Sequence, residues 1–129
     1  DWYNASPEAV RAALDVLSTL GGRRFAALGC MRELGDASAR LHRSCGAKAA
    51  ESADALYVYG EGAEAYLEGA REAGMPEAAL RLYESRDRLA EDLAREARPG
   101  DALLFKGSHY FTHMERCMER FYALMDEKQ

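Results

Sequence analysis

Apolar residues recur along this chain with two alternating periods. Val10, Ala13, Leu14, Leu17 and Leu20 fall at helical spacing. Ser6-Pro7-Glu8 before them reads as a helix start, with serine at the N-cap, proline at the first helical position and an acid in the first turn. Gly21-Gly22 stops that helix. Arg24-Phe25-Ala26-Ala27-Leu28-Gly29 is then a short apolar run bounded by turn signals, the mark of a buried parallel strand. Cys30 to Gly35 is a loop. Asp36 or Ser38 can cap a second helix with Leu41, Cys45 and Ala49 inward, and Ala55 to Tyr59, rich in aromatic and branched residues, is a second strand.

The alternation continues. Gly60-Glu61-Gly62 leads into a third helix that runs to about Gly74, with Ala63, Leu67 and Ala70 inward, and Met75-Pro76 breaks it. Ala79 to Tyr83 is a third strand, less apolar and so nearer an edge. Ser85 caps a fourth helix with Leu89 and Leu93 inward, and Arg98-Pro99-Gly100-Asp101 is a turn. Ala102-Leu103-Leu104-Phe105 is the most apolar strand, which predicts a central place. Thr112 and Glu115 form a capping box for a last helix, with Met114, Cys117, Phe121 and Leu124 as its inner stripe. Strands alternating with helices predict a three-layer α/β domain, Rossmann-like, with a mostly parallel sheet and helices on both faces. A simple winding gives the strand order third, second, first, fourth. The switch point then lies between the first and fourth strands, where such sheets bind ligands at the carboxyl ends. The Cys30–Gly35 loop and the Lys106-Gly107-Ser108-His109 loop should meet there.

Composition narrows the function classes. The 129 residues form one domain, and 48% hydrophobic with 30% charged residues is an ordinary globular balance. A net charge of −5 excludes a general nucleic-acid binder, which would carry a basic stripe. No apolar run approaches the roughly 20 residues that span a bilayer, and the opening Asp1-Trp2-Tyr3-Asn4 is not that of a signal peptide. Three cysteines without CxxC spacing fit reduced cytosolic thiols and give no zinc site.

Few residues point to chemistry. In Lys106-Gly107-Ser108-His109, glycine admits a ligand to the backbone, serine offers a hydroxyl and a following helix favours anions; the plainer reading is a polar strand-end turn. Gly60-Glu61-Gly62 lacks the rest of a dinucleotide fingerprint and reads as a tight turn, and no GxxxxGK[ST] phosphate loop is present. Cys30 reads as a small inert residue rather than an activated thiol. His42, His109 and His113 have no ligand spacing with an acid cluster, so no metal site is expected. The methionines of the last helix read as core filler.

Taken in order, Asp1-x-Tyr3-Asn4-Ala5-x-Pro7, Leu28-Gly29-x-Met31-x-Glu33-Leu34-Gly35, Leu41-His42, Pro99-Gly100-Asp101 and Lys106-Gly107-Ser108 resemble the C-terminal domain of the Mur ligases over nearly the whole chain. The Tyr-Asn-Ala-x-Pro and Met-x-Glu-Leu-Gly strings are specific together. They are most similar to the branch that adds D-alanyl-D-alanine to UDP-N-acetylmuramoyl-tripeptide. The Asp-Asn-Pro-Arg motif of the branch that adds a diamino acid is absent. The resemblance implies residues 1–129 are one substrate-closing domain of a larger, cytoplasmic ligase, beside a UDP-sugar-binding domain and a central ATPase domain. In such ligases ATP, with Mg, phosphorylates the peptide carboxylate, and the incoming amine attacks the acyl phosphate. Carried over by position, Asp1 would contact the ATP ribose with Tyr3 and Asn4 beside it. Arg32, Ser108, Lys106 and His109 would lie in the loops that hold the dipeptide's carboxylate. No tightly bound cofactor is expected for this domain alone, and it should hydrolyse no ATP.

The chain departs from the family pattern at Ser6, usually Asn, at Cys30, usually Asp, and at His109, frequently Arg. Tyr110 to His113 is about one residue longer than usual, as judged against the family's turn. The family strand that ends just before Asp1 is missing, so the sheet is expected to be short of a member. Because the family loop holds an acid at Cys30, an aspartate should be tolerated there. A second function class stays open, a degenerate, non-catalytic binding or interaction module that kept the fold. A phosphate-loop ATPase domain upstream in the parent gene would separate the two.

Overall fold

The strands β1 (Arg24–Gly29), β2 (Ala55–Tyr59), β3 (Leu80–Tyr83) and β4 (Ala102–Lys106) form one sheet in the order β3-β2-β1-β4, and every pairing is parallel. This is a computed structural model that describes residues 6–108 and 112–128. The helices are α1 (Pro7–Ser18), α2 (Ser38–Ser52), α3 (Glu64–Glu72), α4 (Arg86–Glu96) and α5 (Met114–Glu127). Pleating splits the strands between two cores. Ala26, Leu28, Leu56 and Val58 face α1, α2 and α3, while Phe25, Ala27, Tyr57 and Phe105 face α4 and α5. The strand order and the three layers are those expected.

Two helices start as their sequences dictate. The Ser6 hydroxyl accepts the Ala9 N–H at 3.2 Å, and the Ser85 hydroxyl accepts the Arg88 N–H at 3.3 Å. In α1, Val10, Leu14 and Leu17 are buried, but Leu20 lies past the helix end and is 46% exposed. Asp101 fastens the turn before β4. Its carboxylate accepts Arg23 Nε at 3.0 Å, Arg23 Nη2 at 2.8 Å and the Arg98 N–H at 2.7 Å, and the Arg23 hydrogen bond holds the carboxyl below its usual range.

Three expectations fail for tertiary reasons. β4 is an edge strand whose one partner among the described residues is β1, and Ala102, Leu103 and Leu104 are only half-buried. Neither Asp36 nor Ser38 caps α2. The chain enters it through a 3₁₀ turn, Gly35–Ala37, and the inward stripe is His42, Cys45, Gly46 and Ala49 rather than one that starts at Leu41. The Thr112–Glu115 capping box does not form either. α5 starts at Met114 behind a left-handed His113, and the Thr112 hydroxyl turns back to donate to the Ser108 carbonyl at 3.0 Å.

α2 and α3 cross with backbones in contact. A Cβ built on Gly46 would lie 1.8 Å from the Tyr66 carbonyl oxygen, and one on Gly69 would lie 1.9 Å from that of Arg43. Glycine is required at both positions, and the crossing fixes α3 against the helix that follows the β1 loop.

Candidate functional site at the carboxyl ends of β1, β2 and β4

β1 and β4 run side by side with Leu28 opposite Lys106, so Gly29 and Gly107 meet where the strands end. They meet tightly. A Cβ on Gly29 would lie 2.6 Å from Thr112 Oγ1, and one on Gly107 would lie 2.5 Å from both Thr112 Oγ1 and Met114 Cγ. The turn into α5 therefore closes the switch point from one side. The Ser108 carbonyl accepts the N–H groups of Thr112 at 3.1 Å and His113 at 3.0 Å. Arg86, at the start of α4, donates to the carbonyls of Thr112 and His113 at 3.3 and 3.4 Å.

Of the residues expected in the substrate loops, Arg32 is exposed, Ser108 is half-buried and Lys106 is only 5% exposed. His109, and with it the cofactor-side residues Asp1, Tyr3 and Asn4, lie outside the described residues. The Arg32 and Ser108 loops leave adjacent strands at the same end of the sheet. The open cleft at that end, of about 570 Å³, is nevertheless shared between the β1 and β2 loops. Arg32, Glu33, Leu34, Gly35 and Ser38 line one side and Glu61 and Gly62 the other. The sequence reading missed Glu61 and Ser38 as neighbours of Arg32, because which loop meets which depends on how α2 and α3 lean. Gly60-Glu61-Gly62 is the tight turn expected, with both glycines at positive φ. Glu33 and His113 are the non-glycine residues at positive φ among the described residues. Each sits in one of these loops, and such strain collects where a loop is held for a purpose.

The loop's base is a buried polar knot. His42 Nε2 accepts the Met31 N–H at 2.9 Å, and Nδ1 lies 2.8 Å from the Ser38 carbonyl oxygen. A carbonyl only accepts, so the proton is on Nδ1 and the ring is neutral. Burial holds the His42 pKa below its usual 6.5. A histidine that resists protonation in the folded state contributes stability that is full above the unfolded value and is lost as pH falls below it. The melting temperature of the chain should fall as pH drops from about 6.5, by at most about 1.4 kcal/mol of stability per pH unit from this group. His42→Gln should flatten that slope. A slope that survives the substitution would assign it to other groups.

Cys30 corrects an expectation directly. It lies in the core rather than in an open loop, 1% exposed just past the end of β1, with its Sγ against Gly60. Its N–H donates to the Tyr59 carbonyl at 2.9 Å. Cys45 and Cys117 are buried as well, and none of the three is in a disulfide. Burial raises all three thiol pKa values, that of Cys117 to about 12. Thiolate is the reactive form. An aromatic disulfide reagent should therefore titrate almost no thiol in the native chain and all three cysteines in denaturant. Rapid reaction of one native thiol would contradict the packing. Among the described residues, no three His, Cys, Asp or Glu side chains are grouped to hold a metal ion, and no helix is long and apolar enough to cross a membrane.

Residues 1–109 match the family described as Mur ligase, glutamate ligase domain. A UDP-N-acetylmuramoyl-tripeptide–D-alanyl-D-alanine ligase of Bacillus subtilis is 33% identical over 84% of this chain and 24% of its own length. A ligase of the same name from Synechocystis is 36% identical over 83% of this chain and 23% of its length. The chain thus spans about a quarter of the curated relatives it matches. The crystal structure of a MurF ligase from Thermotoga maritima in complex with ADP superposes with a TM-score of 0.81 at 30% identity, covering 98% of this chain and 28% of that one. MurF from Acinetobacter baumannii superposes at 0.82 with 34% identity, covering 95% and 27%.

Proposed function

This chain belongs to the Mur ligase family, and on that premise we propose that it is the substrate-closing domain of an ATP-dependent ligase that joins D-alanyl-D-alanine to UDP-N-acetylmuramoyl-tripeptide. The observation that carries the reading is the identity of 33% and 36% to two curated ligases of that one specificity, over more than four-fifths of the chain. ATP and Mg would be held by a phosphate loop in a central domain, with the UDP-sugar on a further one. This chain has no such loop. Asp1 would reach the ATP ribose as the domain closes, with Tyr3 and Asn4 beside it. The reaction would run in the cytoplasm, where thiols stay reduced.

This chain's part is to present the dipeptide. A carboxylate takes several donors, and an arginine supplies two in a fixed fork. Arg32 borders the open cleft, and Ser108 follows the neighbouring strand β4 at the same end of the sheet. Together they would hold the far carboxylate of D-alanyl-D-alanine, with Lys106, the buried last residue of β4, and His109 on either side of Ser108 in sequence. The amine would then point toward the activated peptide. Orientation of this kind supplies several kcal/mol of a barrier.

In a ligase that carries this domain, Arg32→Ala should lower kcat/KM for the dipeptide about tenfold or more, since a charged hydrogen bond contributes roughly 1.5–3 kcal/mol. Ser108→Ala should cost less, and the apparent ATP requirement should barely change in either. Unchanged dipeptide use in both variants would remove these residues from the substrate site. A parent gene without a phosphate-loop domain would turn the reading toward an interaction module.

A further inference from the structure

We propose that His42 and Tyr66 are positioning residues for the Arg32 loop: from two different helices they grip the backbone on either side of Cys30 and so set where Arg32 enters the cleft. The role in substrate use rests on the function proposed above; the grip itself does not. As the chain leaves β1, three successive residues are tied down by three different elements. The Tyr66 hydroxyl, from α3, donates to the Gly29 carbonyl at 3.0 Å. The Cys30 N–H donates to the Tyr59 carbonyl at the end of β2. The Met31 N–H donates to His42 Nε2, from α2. The next residue is Arg32.

Both side chains are nearly solvent-free, His42 at 1% and Tyr66 at 0% exposure, and their rings stand edge to face with centroids 4.8 Å apart. A site that needed only volume would take apolar groups, since a buried polar atom costs free energy unless it is bonded. Here the tyrosine hydroxyl and the free histidine nitrogen both bond to the strand exit rather than to each other. The Nδ1 contact with Ser38 in the ring's own helix fixes the tautomer that leaves Nε2 able to accept. Downstream, the 3₁₀ turn ties the Ala37 N–H to the Leu34 carbonyl at 3.2 Å. Between these two anchors lies Glu33 at φ 63°, a conformation that persists only where its surroundings over-determine it. The helices that carry the two grips are locked by the Gly46 and Gly69 contacts, so the loop inherits the register of the α2–α3 crossing.

Protonation of His42 would remove its acceptor, which gives the proposal a second readout. The groups around the ring are Tyr66 and Cys30, both held protonated by burial, the Ser38 carbonyl, and Glu64 at the start of α3, whose charge opposes the effect of burial on His42. Of these groups, His42 is the one whose protonation breaks a hydrogen bond to the strand exit.

The test uses His42→Leu, His42→Gln and Tyr66→Phe, with Arg32→Ala as reference. Glutamine keeps an acceptor at the reach of Nε2 and leucine does not. In the 129-residue chain, amide hydrogen exchange at Met31 should speed up about tenfold or more in His42→Leu, roughly the loss of one buried hydrogen bond, while amides of α4 and α5 stay protected. His42→Gln should restore protection. In the ligase, His42→Leu and Tyr66→Phe should raise KM for the dipeptide severalfold to tenfold and leave KM for ATP alone, with His42→Gln close to the parent. The acid limb of dipeptide kcat/KM should move in His42→Gln. Unchanged Met31 exchange in His42→Leu overturns the grip. Faster exchange with unchanged dipeptide KM, in an enzyme where Arg32→Ala does raise it, overturns the positioning role. If Arg32→Ala also changes nothing, the substrate reading has failed, and Met31 exchange alone decides the grip.

Discussion

Gly46→Ala and Gly69→Ala are each expected to destabilise the chain by about 3 kcal/mol, a fall of roughly 10 °C in melting temperature for a domain of this size. Two effects oppose each other. Both positions are helical, and alanine in a helix is favoured over glycine by about 1 kcal/mol. Against that, the new methyl carbon would lie 1.8 or 1.9 Å from a carbonyl oxygen of the facing helix. Real contacts of this kind stay beyond 3.0 Å. A backbone carbonyl inside a helix cannot swing aside as a side-chain tip can, so α2 and α3 must separate by more than an ångström. Separation loosens the packing around Cys45, Ala49, Tyr66 and Ala70, all buried in the core they share. Overpacking therefore outweighs propensity. One separation relieves both clashes, so the double variant should cost clearly less than the sum of the two. Urea and thermal melts of the three variants check this. Parent-like stability of either single variant would mean that the helices do not cross backbone to backbone.

Much of this architecture was legible because it is written locally. Ser6-Pro7 and Ser85 are caps whose partners lie three residues away, and they form as read. The regular exchange of apolar runs and helical stripes sufficed for the parallel sheet, and the winding rule for its order. What failed depends on distant partners. Ala102 to Phe105 is apolar enough for a central strand, yet β4 sits at an edge, and α1 packs near it. In α2, the positions 42, 45, 46 and 49 make a cleaner helical stripe than 41, 45 and 49, but a histidine and a glycine within it disguise the inward face. His42 is buried because the Met31 N–H and the Ser38 carbonyl use both its nitrogens, a fact no spacing rule contains. Thr112 resembles a cap by position and serves instead to close the Gly29–Gly107 contact. The Arg32 loop could be found from the switch-point rule, whereas its cleft partner Glu61 could not, since that depends on the lean of two helices.

Cys30→Asp is the sharpest case, because the family resemblance and the packing give opposite answers. The resemblance puts an acid at this position, which predicts tolerance. In this chain the side chain is 1% exposed, at the end of a buried strand, with Gly60 close enough that its missing Cβ would lie 2.7 Å from Sγ. A carboxylate there loses its water and is bulkier than the thiol. Arg32 is near enough to favour a negative charge at this site, but burial, with Glu61 and Glu64 acting in the same direction, outweighs it, as the raised Cys30 pKa shows. We expect Cys30→Asp to destabilise the chain by about 2–4 kcal/mol at neutral pH, the cost of a buried and incompletely paired carboxylate. The pH dependence separates this from a simple steric cost. An aspartate whose folded pKa is raised binds its proton more readily folded than unfolded, so its penalty is full above the folded pKa and shrinks as pH falls through it. The gap in melting temperature between parent and Cys30→Asp should therefore narrow on acidification, with the His42 slope common to both and cancelling. Cys30→Ala, smaller and uncharged, should show no such narrowing. A Cys30→Asp chain that melts with the parent at neutral pH would show that donors in the loop accept the carboxylate, and that the acid of the family pattern can be restored without rebuilding the strand exit.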